Sequence, residues 1–429
     1  MRILHVVHQY VPDHVAGTEL YTQSVAQHQA AAGHEVAVFA PLNRAGEFLL
    51  DPAVEDGVRI YRVAAGERGA TGVFRSTFRQ PALAAAFTAV LERERPDIVH
   101  LQHLMGIPAT AAEELRRRAI PYVISLHDYW YGCGNGQLYT NDTGEVCGGP
   151  DARFHNCGRC AVARAGLVSA AGLLGPLAAP IMRRRNDLLR PVFSGAARIM
   201  APNEFVKRIH GEMGFPTRHI VVNPFGLYVS PEVVAGIAAQ RTPQPEGGLR
   251  IGYVGSLSHQ KGVHVLIEAV NDLPEANVTL DIYGDPAVFP DYSAGLQAMA
   301  RHPGIRFHGT VSRDQIWEAL AGMDVLVIPS LWYEGSPFTI REAFAAGLPI
   351  VASALGAPGS MITHGVDGLL FPVGDANGLR EALRELLGHP ARVAALRAGI
   401  APVRSVADHM AQVEQVYHEA LTTDPPSRA

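Results

Sequence analysis

Residues 330–353, SLWYEGSPFTIREAFAAGLPIVAS, contain two glutamates at a spacing that suits a phosphorylated, hydroxyl-rich ligand. Ser336 is a preferred N-cap residue and Pro337 fits the first helical position, so the window predicts a helix that ends at the Ala-Gly-Leu-Pro stretch. Because the window follows the strand-like run DVLVI, the helix N-terminus would offer amides and a positive dipole end to an anion. Glu334 precedes the helix, Glu342 lies within it, and each carboxylate can accept hydrogen bonds from neighbouring hydroxyls. The pattern suits a nucleotide sugar, although a capped surface helix with two solvated glutamates also explains it.

A second window, YVGSLSHQKGVHVLIEAV at residues 253–270, places a single cation at the start of a helix. Gly255 ends the predicted strand, and Lys261 and Gly262 open the helix. An ammonium beside a helix N-terminus can neutralise a diphosphate. The alternative is an exposed lysine at a turn, and the spacing is not that of a P-loop, which needs G-x-x-x-x-G-K-[ST].

The cysteines form a third candidate site because all four lie in one short, loop-like stretch. They are Cys133, Cys147, Cys157 and Cys160, with the spacing C-x13-C-x9-C-x2-C. Four thiols in such a loop predict a structural zinc ion that takes no part in chemistry, and His155 could replace one cysteine. Two disulfides or free thiols are the alternatives, and a reducing cytoplasm disfavours the disulfides.

Short apolar runs alternate with helical patterns around these windows. The predicted strands are Ile3–Val7, Glu35–Phe39, Ile98–Leu101, Tyr122–Leu126, Leu249–Val254, Val278–Tyr283, Ile305–His308, Asp324–Ile328 and Ile350–Ala352. The predicted helices run from Thr18, as N-cap, to near Gly33, over Gly262–Asn271 and over Ser405–Leu421. This order implies βαβ units, and therefore an α/β protein with two doubly wound, Rossmann-like domains. Such sheets bind ligands beyond the carboxyl ends of their strands, so we expect the domains to face each other across a cleft.

The pattern also predicts where the domains begin and end. We place the N-terminal domain at residues 1–225, with a cysteine-rich insertion at about 131–162, and the C-terminal domain at 226–404. Between them, Ser230–Gly248 is rich in Pro, Gln and Gly, which is typical of a surface linker. The segment 405–429 predicts a helix that packs back on the N-terminal domain, followed by a disordered tail.

Composition narrows the classes of partner. The chain has 429 residues, 48% apolar and 18% charged, which is enough for two or three domains with ample core. Its net charge of −5 argues against nucleic acid, because phosphate-binding faces are usually basic. No signal peptide or spanning run is evident, which predicts a cytoplasmic protein. The apolar segment 165–185 ends in three arginines, so it is either a packed helix with a solvated basic end or a peripheral contact at the inner face of a membrane.

The two helix-start windows together resemble the family 4 group of retaining glycosyltransferases, which have the GT-B fold. The E-x7-E spacing within EGSPFTIREAFAAGLPIVAS and the stretch GSLSHQKG carry the C-terminal part of the resemblance. Pro12, AGTE, GHEV, PDIVHLQ and SLHD carry the N-terminal part, and GVDGLLFPVGD is similar to a late C-terminal stretch. The motifs occur in the expected order over nearly the whole chain. The resemblance implies a retaining glycosyltransferase that moves a sugar from a nucleotide-sugar donor to an acceptor hydroxyl in glycan, polysaccharide or glycoconjugate biosynthesis.

Matched position by position, the resemblance also implies roles for residues. Glu342 would hold the ribose hydroxyls of the donor, and Glu334 would contact the donor sugar or the adjacent phosphate. Lys261 would neutralise the leaving diphosphate, and His127, with Asp128 beside it, would lie near the reacting carbon. The other implied donor-binding residues are Gly17 and Thr18 over the diphosphate, Ser256 after the strand, the backbone of Gly335, Ser336, Pro337 and Phe338 around the sugar and diphosphate, and Gly309 and Val311 near the base.

The chemistry needs stabilisation of the negative charge that grows on the leaving diphosphate. Helix amides and Lys261 could supply it as preorganised electrostatics. The sequence has no D-x-D, so a metal-bridged diphosphate has no obvious ligand pair. We therefore expect metal-independent catalysis with retention, in which the acceptor hydroxyl attacks from the face that the diphosphate leaves. The acceptor would be a glycan, a lipid-linked glycan or a small molecule.

Three departures from the family pattern keep other functions open. Ser256 stands where the family often has arginine, the segment Gly356–Ser360 lacks the usual glutamate, and Ala16 replaces one of two paired glycines. A nucleotide-sugar epimerase of the same fold would act on the donor alone, and a scaffold that binds sugar nucleotides would not catalyse at all. A dinucleotide oxidoreductase is disfavoured because the G-x-G run at residues 132–136 opens no predicted helix.

Overall fold

The computed structural model describes residues 1–46, 50–228, 233, 236–237, 248–274, 277–312 and 315–422. The chain divides into two compact units. The N-terminal unit comprises residues 1–143, 147–225 and 407–429, and the C-terminal unit comprises 144–146 and 226–406. The linker predicted at Ser230–Gly248 lies outside the described residues except for 233, 236–237 and 248, and the predicted disordered tail beyond residue 422 lies outside them as well.

The N-terminal unit is built around one sheet. Its strands are β1 (Arg2–Val6), β2 (Glu35–Leu42), β3 (Ala53–Glu55), β4 (Val58–Ala64), β5 (Ile98–Leu101), β6 (Tyr122–Ser125), β7 (Arg198–Ala201) and β8 (Ile220–Val222). They lie in the order β3-β4-β2-β1-β5-β6-β7-β8, with β3 antiparallel to β4 and the other pairs parallel. Strands β5 and β6 are fully buried, which is typical of parallel strands covered on both faces.

Helices connect these strands. They are α1 (Gly17–Ala31), α2 (Ala70–Ser76), α3 (Pro81–Glu94), α4 (Thr110–Arg117), α5 (His155–Arg164), α6 (Ala171–Ser194) and α7 (Glu204–Glu212). Helices α5 and α6 cross with their backbones in contact, because a Cβ on Gly158 would lie 2.1 Å from the carbonyl oxygen of Gly175. The two glycines therefore fix the position of α6, which follows the cysteine-rich segment.

The C-terminal unit repeats the architecture. Its strands are β9 (Leu249–Val254), β10 (Val278–Tyr283), β11 (Ile305–Gly309), β12 (Val325–Ile328), β13 (Ile350–Ser353) and β14 (Gly368–Phe371), all parallel in the order β11-β10-β9-β12-β13-β14. Its helices are α8 (Val263–Asn271), α9 (Pro290–Met299), α10 (Ile316–Ala321), α11 (Phe338–Ala345), α12 (Gly356–Met361), α13 (Ala376–Leu386) and α14 (Pro390–Ala398). The predicted class, an α/β protein with two parallel-sheet domains, is confirmed.

The last helix, α15 (Val406–Thr422), packs on the N-terminal unit. The Tyr21 hydroxyl lies 3.1 Å from Nε2 of His409, and Arg198 forms an ion pair with Glu419 at 3.0 Å. The described helices include none that is long and apolar enough to cross a membrane.

Candidate functional site

Most of the residues predicted to bind the donor in the C-terminal unit lie in loops at one edge of its sheet. Strands β9 and β12 are neighbours and parallel, so the loops that follow them leave from the same edge. The amide of Leu331 donates to the carbonyl of Gln260 at 2.8 Å, which ties the two loops together. Gly262, with φ +70°, permits the approach, because a Cβ there would lie 1.9 Å from the carbonyl oxygen of Pro329.

Lys261 and Glu334 form an ion pair at this edge. The Lys261 ammonium lies 2.7 Å from Oε1 of Glu334, whose side chain is almost fully buried. The same oxygen accepts hydrogen bonds from the Ser330 hydroxyl at 2.8 Å and the Trp332 indole at 3.0 Å. The structure thus brings together the two charges that the sequence placed in separate windows, and it adds two supporting side chains that the sequence did not single out.

The helix after β12 begins later than the sequence predicted. Pro337 takes the N-cap position, α11 starts at Phe338 and no side chain caps its N-terminus, so the prediction of Ser336 as N-cap was wrong. The Ser336 hydroxyl instead accepts a hydrogen bond from Arg341 at 2.7 Å. Burial lowers the pKa of Arg341 to about 10, so this guanidinium stays charged at neutral pH behind the first turn. Arg341 was not among the predicted site residues, because its position within the helix gives no sign that it is buried.

The other implied donor-binding residues lie near the same edge. Glu342 is half-buried on α11, and Gly335 is buried in the loop before it. Ser256 is exposed, with its hydroxyl 3.4 Å from that of Ser258. Gly309 ends β11 with φ +72° and Val311 follows it half-buried.

An aromatic pair adjoins Gly309 and was missed in the sequence. The rings of Tyr283 and His308 stack with centroids 4.5 Å apart and planes 12° from parallel. Asp281 accepts from the His308 ring at 2.6 Å and fixes its orientation. Such a platform at the ends of β10 and β11 is suited to stacking against a planar ring.

In the N-terminal unit, Gly17 and Thr18 form the first turn of α1. The helix begins at Gly17 with Ala16 at its N-cap, so the prediction of Thr18 as N-cap was wrong. Glu19 is buried, and burial raises its pKa. Its Oε1 lies 3.5 Å from Nε2 of His8, a pairing that was not predicted from the sequence.

His127 follows β6 and is held from one side by an amide. Its Nε2 lies 2.9 Å from Oε1 of Gln102. The ring centroids of Tyr21 and Phe225 lie 4.9 and 5.7 Å from the ring centroid of His127. Burial lowers the pKa of His127 to about 3, so the ring is neutral at physiological pH. A neutral ring that donates through Nε2 carries its lone pair on Nδ1.

The hydrogen bonds of Gln102 fix this tautomer. Its Nε2 lies 3.1 Å from Nδ1 of both His5 and His100, so the amide nitrogen donates to two ring acceptors. His5 donates through its other nitrogen to Gln29 at 2.7 Å, which agrees with that assignment. With its nitrogen directed at His5 and His100, Gln102 presents its oxygen to His127, and in this arrangement His127 donates. The network was not visible in the sequence, where its members lie far apart.

Asp128 is bound into the loop that follows His127. It accepts hydrogen bonds from Nε2 of His103 at 3.1 Å and from the amide of Trp130 at 2.8 Å. Burial by itself would raise the pKa of Asp128, but its interactions with His103 and with the amide of Trp130 outweigh burial and lower that pKa. A Cβ on Gly136 would lie 2.6 Å from the carboxylate, so the loop closes tightly over it.

The four cysteines lie around one cavity in the N-terminal unit but do not form a metal site. They are free thiols, and within the described ranges no three His, Cys, Asp or Glu side chains are grouped to hold an ion. Three of the thiols are engaged locally: that of Cys133 donates to Asn135 at 2.7 Å, that of Cys147 donates to the carbonyl of Gly149 at 3.5 Å, and that of Cys160 accepts from the amide of Asn141 at 3.4 Å. The residues therefore do not fit the predicted structural zinc, and that prediction is not supported.

Comparisons with known proteins cover both units. The family model described as "Glycosyl transferase 4-like domain" matches residues 16–226, and the one described as "Glycosyl transferases group 1" matches residues 248–389. The chain is 29% identical over 181 residues to 2-deoxystreptamine glucosyltransferase of Streptomyces kanamyceticus, which covers 42% of this chain and 46% of that protein.

Two further matches extend over nearly the whole chain. The GDP-mannose-dependent alpha-mannosyltransferase of Mycobacterium tuberculosis is 26% identical over 382 residues, which covers 87% of this chain and 85% of that protein. The crystal structure of Anabaena HepE in complex with UDP and glucose has a TM-score of 0.64 and 17% identity, with 97% of this chain and 99% of that chain covered. At 17% identity, the structural similarity shows that the two chains share a fold.

Proposed function

Because this chain belongs to the family 4 glycosyltransferases and has their GT-B fold, we propose that it moves a sugar from a nucleotide-diphosphate donor to an acceptor hydroxyl with retention of anomeric configuration. The names of two similar proteins support the donor class, since one depends on GDP-mannose and the other was crystallised with UDP and glucose. They differ in nucleotide, so the proposal covers the diphosphate and the sugar and leaves the base open.

The observation that carries the proposal is the Lys261–Glu334 pair beside the N-terminus of α11. A cation, a carboxylate and a helix start without a side-chain cap meet at the carboxyl edge of a parallel sheet. Arg341 adds positive charge behind the same turn. The arrangement suits a ligand that combines an anion with hydroxyl groups.

In the proposed complex, Lys261 exchanges its carboxylate partner for a diphosphate oxygen. Glu334 is then available to accept from a hydroxyl of the donor sugar, and Glu342 accepts from the ribose hydroxyls. The backbone from Gly335 to Phe338 surrounds the sugar and diphosphate. In the N-terminal unit, Gly17 and Thr18 contribute to diphosphate binding.

Transfer breaks the bond between the anomeric carbon and the diphosphate oxygen. The acceptor oxygen forms the new bond on the same face, and its proton passes to a diphosphate oxygen. Lys261 and the α11 amides stabilise the charge that grows on the leaving group. His127, neutral and held by Gln102, offers its Nδ1 lone pair to a sugar hydroxyl, and Asp128 supports the loop around it.

We propose that this chemistry proceeds without a metal cofactor and that the acceptor is a glycan, a lipid-linked glycan or a small molecule. The cation that a metal would supply is present as Lys261. A chelator such as EDTA should therefore leave the transfer rate unchanged, whereas a rate that falls with EDTA and returns with Mg²⁺ would refute this part.

An unusual feature of the sequence makes donor binding directly testable. The chain has two lysines, Lys207 and Lys261. Their side chains are similarly exposed, at 31% and 25%. Amine acylation followed by mass spectrometry can therefore compare the proposed site with an internal control of the same chemistry.

We expect UDP, GDP or another nucleoside diphosphate to protect Lys261 from acylation and to leave Lys207 unprotected. Equal acylation of Lys261 with and without every nucleotide tried, at millimolar concentration, would contradict the proposed site. The anomeric proton of the product, followed by NMR, tests retention. Formation of an altered nucleotide sugar without an acceptor would indicate an epimerase instead.

A further inference from the structure

The surface between α5 and the middle of α6 carries apolar side chains that face solvent. Leu173 is 80% exposed and Leu177 74%, and Ile181, Leu167 and Val168 are each more than half exposed. The chain has no charged residue between 165 and 182. We call these five side chains the apolar stripe. Contiguous exposed apolar surface is uncommon on a protein that has nothing to bind there.

Helical geometry aligns the stripe. Leu173, Leu177 and Ile181 are four residues apart and lie on one face of α6. The opposite face, which includes Ala179 and Met182, is buried against the unit. The stripe is therefore a second, outward-facing apolar surface on a helix whose inner face is already packed.

A cavity opens beside the stripe. It has a volume of about 280 Å³ and lies within the N-terminal unit. Leu167 and Ile181 belong both to its wall and to the stripe, and the wall also includes Phe74, Met105, Trp130 and the four cysteines. The exposed apolar stripe is thus continuous with the wall of the cavity.

Basic residues flank the stripe. Arg164 precedes it, and Arg183 and Arg184 follow it; all three are exposed. Arg184 lies about three turns after Leu173 and so continues the same face. Nearby, Arg159 is paired with Asp142 at 2.7 Å, Asp151 is exposed and accepts from loop amides, and Asp187 is exposed as well.

We propose that the apolar stripe docks on an anionic phospholipid surface and that the cavity beside it takes a hydrocarbon chain from that surface. Apolar side chains bordered by arginines match a bilayer interface, where acyl chains lie beneath negatively charged headgroups. The charges favour an anionic lipid over a second copy of this chain, because two copies meeting through this face would place their arginines together. The proposal does not depend on the identity of the sugar donor.

Sedimentation with vesicles tests docking. The full chain should bind vesicles of phosphatidylglycerol and phosphatidylcholine in a 3:7 ratio, and binding should weaken at high salt and on vesicles of phosphatidylcholine alone. The double variant Leu173→Glu/Leu177→Glu should bind at least about tenfold more weakly. Val54→Glu, at another exposed apolar position, is the matched control and should bind like the unmodified chain.

Lack of binding by the unmodified chain, or equal binding by the double variant, would overturn the proposal. A dimer in sedimentation velocity that the double variant abolishes, without vesicle binding, would assign the stripe to a contact between copies. Protection of Lys261 by nucleoside diphosphates should be the same in both proteins. Failure of lipid binding and failure of donor binding are therefore separate outcomes.

Fluorescence tests entry of a chain into the cavity. Trp130 lines it, and the other two tryptophans, Trp317 and Trp332, belong to the C-terminal unit. In a Trp317→Phe/Trp332→Phe variant, vesicles with brominated acyl chains should quench Trp130. Vesicle binding without quenching would refute the cavity as a hydrocarbon site and leave only surface docking.

Discussion

The two units place different kinds of polar cluster at the carboxyl ends of their strands. In the C-terminal unit, the cluster is charged: Lys261, Glu334 and the buried Arg341 lie around the loop before α11. In the N-terminal unit, the cluster around His127 and Gln102 consists of neutral rings and amides held by hydrogen bonds. The same sheet architecture thus supports an ionic site in one unit and a neutral network in the other.

The difference follows from what each site has to do in the proposed reaction. A leaving diphosphate gains negative charge, and a fixed cation stabilises it most strongly in a site of low dielectric. A sugar has no charge and is recognised by donors and acceptors in fixed directions, which a buried neutral network can supply. The comparison predicts that substitutions in the two units will fail in different ways.

Loss of the Lys261 ammonium should have the largest effect on transfer. We expect Lys261→Ala to lower kcat/KM by about a hundredfold, since removal of one donor to a developing anion typically costs that much. Lys207→Ala is the matched control and should retain full activity. Steady-state rates for both variants decide the point, and an unchanged rate for Lys261→Ala would remove the proposed role of this residue.

Substitution of Glu342 should have a smaller effect that appears mainly in binding. We expect Glu342→Ala to lower kcat/KM by at least about tenfold, near 1.4 kcal/mol, chiefly through a higher KM for the donor. Hydrogen bonds to ribose are made in the ground state and the transition state alike, which is why kcat should change little. A variant with a lower kcat and an unaltered donor KM would contradict a ribose contact.

The substitution Gln102→Leu should lower kcat, because it removes the hydrogen bond that orients His127. Leucine cannot accept from Nε2 of His127, so the ring loses the bond that sets its tautomer. We expect kcat to fall by about tenfold while the donor protection of Lys261 is retained. NMR of the imidazole nitrogens should show the proton on Nε2 in the unmodified chain and a mixture of tautomers in the variant; an unchanged spectrum would show that Gln102 does not position the ring.

Buried histidines should also make the N-terminal unit the more acid-sensitive. In the N-terminal unit, burial lowers the pKa of several histidines, to about 4 for His5 and His210 and to about 3 for His127. In the C-terminal unit, burial lowers the pKa of one histidine, His264, to about 4. The unfolded chain binds protons near pH 6.5 that these native rings exclude, so the free energy of unfolding falls as pH drops from about 6.5 to 4. The raised pKa of Glu19 acts in the opposite direction over the lower part of this window and offsets only part of the loss.

Hydrogen exchange, corrected for intrinsic rates and mapped on peptides of each unit at pH 7 and pH 5, measures this difference. The peptides of the N-terminal unit should lose more protection on acidification. An equal loss in both units would show that the buried histidines of the N-terminal unit do not set its acid stability.

Much of the scaffold was predictable from sequence because parallel strands are short, buried and apolar. Ile98–Leu101, Leu249–Val254 and Val278–Tyr283 have the predicted bounds. Strand β4 was missed because two arginines interrupt its apolar pattern, β7 has only four residues and begins with Arg198, and β3 is exposed throughout. The predicted helix starts were wrong by one to a few residues. A residue type that is favoured at the N-cap does not cap the helix when its hydroxyl or its backbone is engaged elsewhere.

The site residues also divide into those that lie in a local sequence motif and those that only the folded chain brings together. Lys261 and Glu334 were identified because each lies in a local motif, but the roles assigned to them and to His127 stay predictions. Arg341, Gln102 and the Tyr283–His308 pair have no local signature and were found only in the folded chain. The cysteines show the reverse case, in which a suggestive spacing predicted a zinc site that the positions of the thiols do not support.

The sequence by itself determined the alternation of strands and helices, because side-chain periodicity is a local property. Strands that are buried on both faces of a sheet appear in the sequence as short apolar runs. Only the tertiary structure decided which polar groups became partners. A hydrogen bond or an ion pair depends on a few tenths of an ångström between residues distant in the chain, as between Lys261 and Glu334 or between Gln102 and His5. No spacing along the chain encodes that distance, since it results from the packing of all the elements in between.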